Sequence, residues 1–74
     1  MSLQECTRAL SSGHPVRINA GDYSQAELEE AAAAAQLAGS KLVLFNLKGR
    51  STEDIGRILQ AGGQHIRFGD IYLV

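Results

Sequence analysis

Residues 31–49 read AAAAAQLAGSKLVLFNLKG: five consecutive alanines and then, three positions past a glycine, a run that is apolar on both of its faces. Alanine is the strongest helix former, and Glu27, Glu29 and Glu30 before the run with Leu37 after it keep it inside an amphipathic pattern. A helix is therefore expected from the cap at Ser24 to the stop at Gly39. In LVLFNL, residues 42–47, strand alternation puts Leu42 and Leu44 on one side and Val43, Phe45 and Leu47 on the other. A strand apolar on both sides belongs in the middle of a parallel sheet.

The same unit recurs on either side. SLQE from Ser2, SQAE from Ser24 and STED from Ser51 each carry the capping-box pattern, with Asp54 as the acid in the third. Tyr23 and Leu28 add hydrophobic-staple spacing to the second. Each box opens an apolar pattern at helical spacing: Leu3, Cys6 and Leu10; Leu28, Ala31, Ala32 and Ala35; Ile55, Ile58 and Leu59. Each pattern stops at a glycine suited to a left-handed residue past a helix end, Gly13, Gly39 or Gly63. Strand spacing follows every glycine, in GHPVRI, GSKLVL and GQHIRF.

The chain is thus expected to be one α/β domain over residues 1–74. It comprises three helix–glycine–strand units, 2–20, 24–47 and 51–68, plus a C-terminal segment 70–74. Duplication of one unit and plain αβ alternation give the same spacing. Gly69-Asp70 reads either as a hairpin turn that returns Ile71 to Val74 as an antiparallel edge strand or as an extension of the third strand.

Right-handed crossovers place all helices on one face if the strand order is 1-2-3. Strand composition selects that order. Val16, Ile18 and Ala20 oppose Arg17 and Asn19 in the first strand, Ile66 and Phe68 oppose Arg67 in the third, and only the second is two-sided. The alanines then have a reason: a central helix must approach two neighbours and a sheet, and short side chains permit short interaxial distances. Val43, Phe45 and Leu47 are left on the helix-free face, flanked by Arg17 and Arg67. Burying each is worth roughly 1.5–3 kcal/mol, so they are expected to be covered, either by the C-terminal IYLV or the first helix folding across, or by a protein partner.

Overall composition narrows the function classes. With 45% apolar and 20% charged residues the 74-residue chain is ordinary globular material. Seven Lys and Arg against eight Asp and Glu give no field that would draw nucleic acid or an anionic membrane. One cysteine makes no internal disulfide, and the N-terminal stretch has neither a basic n-region nor an apolar h-region, so a cytoplasmic chain is expected. No apolar run approaches the roughly 20 residues of a membrane span.

Chemistry-bearing residues are sparse. Lys48, Gly49, Arg50 and Ser51 run from a strand end into a helix N-terminus, where open α/β sheets bind anions, and they form the weaker candidate site. No phosphate-loop or dinucleotide fingerprint accompanies them. Cys6, His14 and His65 share no metal-ligand spacing, and Cys6 falls on an apolar helix stripe where cysteine acts as a small hydrophobe. The acids concentrate in first helical turns, where the macrodipole accounts for them. Tyr23 and Tyr72 are too separated for a base-stacking platform.

The order of LVLFNL, a helix and HIRF resembles short helix–strand solenoids of the leucine-rich type, whose L-x-x-L-x-L-x-x-N framework does not recur in all units. Residues 21–68 resemble the partner-switching anti-sigma antagonist fold, whose Asp-Ser-Ser-Gly stretch is not present. Neither resemblance assigns a role to a residue. The expectation is a non-catalytic protein-interaction module, self-associating through Val43, Phe45 and Leu47 with Arg17 and Arg67. The alternative is a binder of a small anionic ligand at Lys48 to Ser51. No catalytic residue, cofactor or metal is expected, and the partner is a protein or a second copy, with no nucleic acid and no membrane.

Overall fold

The computed structural model describes residues 2–47 and 49–69; Lys48 and the expected C-terminal segment 70–74 lie outside them. The elements are α1 (Leu3–Ser11), β1 (Val16–Asn19), α2 (Gln25–Ala38), β2 (Leu42–Phe45), α3 (Thr52–Gly62) and β3 (Ile66–Phe68), with single 3-10 turns at Ala20–Asp22 and Gly63–His65. The three strands are parallel in the order β1-β2-β3. Equivalent positions stand in line across the sheet, Val16 beside Leu42 beside Ile66 and Arg17 beside Val43 beside Arg67.

Capping sets where each helix begins. Ser2 Oγ accepts from Glu5 N–H while the Ser2 N–H donates to Glu5 Oε1, and Ser24 and Glu27 repeat the pair. Ser51 accepts from Asp54 N–H at 3.1 Å, without the return bond. Asp54 has one methylene less than the glutamates and leans instead toward Arg57, 3.8 Å away. Gly13, Gly39 and Gly63 all have positive φ; Gly39 is the expected left-handed cap of α2, whereas Gly63, at φ 58° and ψ −137°, lies outside the left-handed helical region and leads into the second 3-10 turn.

The core lies between the sheet and the helices. Val16, Ile18, Leu42, Leu44 and Ile66 from the strands meet Cys6, Leu10, Leu28, Ala31, Ala32, Ala35 and Ile58 from the helices, all buried. Small residues meet across the α2–α3 contact. A Cβ at Gly62 would overlap the Ile66 side chain and lie 3.2 Å from Ala32 Cβ, so α3 sits at backbone distance from both α2 and β3. Buried Ser40 donates its hydroxyl to Leu10 O, satisfying a carbonyl at the end of α1.

Two strands are shorter than the alternation indicated: β1 ends at Asn19, with Ala20 buried in the first 3-10 turn, and β2 ends before Asn46. β2 stops at Phe45 because Asn46 takes φ 62°, the left-handed region that asparagine tolerates better than most non-glycine residues. This reverses the chain's facing by one residue. Leu47, expected on the helix-free face, is instead buried at 6% exposure within the main core.

Candidate functional site: the helix-free face of the sheet

Three of the five residues expected to form the contact surface come together. Val43 and Phe45 project from β2 on the side away from the helices, and both are half-buried. Arg17, one strand over, places its guanidinium carbon 5.1 Å from the centroid of the Phe45 ring, within cation–π range. Arg67 stands beside Val43 in register but is turned back on its own strand, its Nη1 donating to Gln64 O at 2.6 Å and Ile66 O at 3.0 Å. Gly69 N–H donates to Leu44 O at 2.8 Å, which carries the β2–β3 ladder one bond beyond Phe68 and brings Gly69 close to Val43. With Leu47 in the core, the apolar centre of the face consists of two side chains.

The loops at the C-terminal ends of the strands are held by side chains. Asn19 Oδ1 accepts from Gly21 N–H and from Asn46 Nδ2, both at 2.9 Å, tying the end of β1 to the end of β2. A Cβ at Gly21 would crowd Asn46 Nδ2, so a larger residue there has to displace that amide from Asn19.

Arg50, expected to be one of the cations around an anion, is engaged elsewhere. It donates to Ala20 O at 2.9 Å, Tyr23 O at 2.7 Å and Gln25 Oε1 at 3.1 Å. Its guanidinium is a strut between the entry to α3 and the entry to α2. Of the other expected ligand residues, Gly49 is exposed at φ 91°, Ser51 caps α3, and Lys48 lies outside the described residues. The sequence reading missed this strut, and its signal was faint: one arginine before a cap, with backbone carbonyls as partners.

The titratable groups follow their surroundings. Burial pushes the Cys6 thiol up, which suits an inert core residue better than a nucleophile. Burial also raises the Tyr23 phenol, and its neighbours Cys6, Asp22, Glu27 and Glu5 add to the effect. Two hydrogen bonds from Ser2 lower the Glu5 carboxyl. Among the described residues no group of three or more His, Cys, Asp or Glu side chains is placed to hold a metal ion. Among them, too, no helix is long and apolar enough to cross a membrane. Compared with family models, with curated proteins and with solved structures, the chain matches none.

Proposed function

We propose that the chain is a non-catalytic protein-interaction module that meets a partner, in the simplest case a second copy, through the helix-free face of its sheet. Phe45 is the anchor and Arg17 covers it from the side. The observation that supports this reading is the central strand itself: its outward residues are Val43 and Phe45 where a solvated face would carry polar side chains. Aromatic and arginine side chains are enriched at protein contacts, and an aromatic with an arginine across it is a usual energetic centre. The apolar centre is small, so Arg17, already over the Phe45 ring, carries much of the contact.

The test is the solution mass of the native chain and of Phe45→Glu, read beside circular dichroism. A charge at a contact is costly, while on a separated subunit it meets water. The expected result is a folded variant of lower assembly mass. A folded Phe45→Glu chain with unchanged mass and stability overturns the reading and leaves a face covered from within the chain.

A further inference from the structure

Charge divides the molecule along its layers. Arg17 and Arg67 flank Val43 across the sheet, and Lys41 stands two residues before Val43. The Lys41 carbonyl accepts from Val16 N–H at 3.0 Å, so the β1–β2 ladder already includes this residue. Burial alternates from Ser40, buried, through Lys41, exposed, to Leu42, buried. Strand alternation therefore places Lys41 on the helix-free face with Arg17, Val43, Phe45 and Arg67. Arg17, Lys41 and Arg67 are all exposed, and no acid occurs in any of the three strands.

The helix layer has the opposite sign. Glu5, Glu27, Glu29, Glu30, Glu53 and Asp54 lie in its three helices, against Arg8 and Arg57. A separate observation lies on the same layer: Leu37, near the end of α2, is 92% exposed, more than any other large apolar residue described. Ala26, Glu30, Ala33 and Leu37 recur at helical spacing and are all exposed, so they form one outward stripe of α2. Glu30 and Leu37 stand about 10.5 Å apart along the helix axis. On the sheet face Lys41 and Phe45 stand about 13 Å apart along the strand. The long lysine side chain covers that difference.

We infer that the helix-free face is covered by the outer side of α2 of a second copy, head to tail, with Leu37 beside Phe45 and Glu30 toward Lys41. A face-to-face pair would set Arg17, Lys41 and Arg67 against themselves, and like charges across an interface are costly. The helix layer of the same chain offers the complement, acids around an exposed leucine. The two surfaces differ, so the contact is heterologous, and each copy keeps one of each open for the next. The contact rests on the reading of the sheet face as an interface, and adds which surface fills it.

Two variants separate the surfaces. Phe45→Glu disables the sheet face, and Leu37→Glu disables the helix side at a position the core does not use. By sedimentation equilibrium the native mass is expected to rise with protein concentration beyond two chains and to fall with added salt, which screens opposite charges. Each variant alone is expected at the mass of one chain. An equimolar mixture is expected at the mass of two, because each variant supplies the surface that the other lacks. Where circular dichroism shows Phe45→Glu unfolded, Lys41→Glu takes its place, a charge reversal at an exposed position. A native chain that stays at one chain's mass overturns the α2 contact, as does a mixture that stays at one chain. Loss of assembly in Phe45→Glu with none in Leu37→Glu also overturns it, while keeping the sheet face as an interface. That reading of the face fails separately, if Phe45→Glu leaves an assembled native mass unaltered.

Discussion

Leu44 and Phe45 are neighbours in β2, and the surroundings of the two faces make them opposites. Leu44 is fully buried in the core on the helix-covered side of the sheet, whereas Phe45 is half-buried with the Arg17 guanidinium over its ring. Backbone alternation supplies the two directions, but only the helix-covered side supplies packing, with α2 reduced to alanines to bring it close. Position in a strand therefore says little about energetic weight until the covering layer is known. The largest expected effect follows. Leu44→Glu places a charge where no partner exists, at a cost beyond the few kcal/mol a chain this short has in reserve. It is expected to abolish the cooperative unfolding transition in circular dichroism, while Phe45→Glu keeps one.

Leu47 is the position that can break the comparison. Strand parity puts it with Phe45, while the structure puts it with Leu44, because Asn46 turns the chain between them. Leu47→Ala is expected to cost about 2–5 kcal/mol in denaturant melts, as deletion of a buried leucine does. Val43→Ala on the open face should stay within about 1 kcal/mol in the separated chain, since no internal cavity forms. Similar costs for the two would return Leu47 to the open face and remove the turn at Asn46 from the account.

Most of the layered fold was legible because it rests on local rules: serine caps with an acid three residues on, glycines at helix ends, and two-residue alternation in short strands. The strand order followed from one two-sided strand among three. What escaped depends on single residues whose effect is not periodic. Asn46 enters the left-handed region, a choice that asparagine permits but does not announce. Arg50 finds two backbone carbonyls on a loop 27 and 30 residues away and the Gln25 side chain at the start of α2, which no spacing rule encodes.

Arg50 sharpens the comparison at the ends of the strands, where both faces depend on the same loops. Arg50→Met keeps much of the side chain's apolar body and removes three donations, two of them to carbonyls. A cost of about 1–3 kcal/mol is expected, the range for hydrogen bonds to a charged group. Amide exchange should rise together in residues 20–25 and 49–52 if the guanidinium joins those loops. A rise confined to the α3 entry would mean that the bonds to Ala20 and Tyr23 contribute nothing.

The caps are next in size. Ser24→Ala removes an acceptor from the helix that covers the centre of the sheet, and a loss of about 0.5–2 kcal/mol is expected. Ser51→Ala should fall toward the lower part of that range, because Asp54 makes no return bond and half of the box is already missing. Equal losses in thermal or denaturant melts would show that the return bond from Glu27 adds nothing to the α2 start.

The smallest effect belongs to α1, which covers the inner row of β1 and has only two buried residues, Cys6 and Leu10, to hold it down. Its capping box depends on an ionised Glu5, whose carboxyl the Ser2 hydrogen bonds lower from its ordinary value. A group whose folded-state value is lowered adds stability above its unfolded value and loses it as the pH falls through the lowered one. Acidification from the ordinary carboxylate range downward is therefore expected to raise amide exchange in the first turn of α1, with β2 unaffected. Glu5 is exposed at the surface, so the change is one of local fraying. Glu5→Gln keeps a side chain that still accepts from the Ser2 N–H but no longer titrates. Its α1 exchange should show a flatter pH dependence than that of the native chain, and equal dependence in both would assign the fraying to another carboxylate.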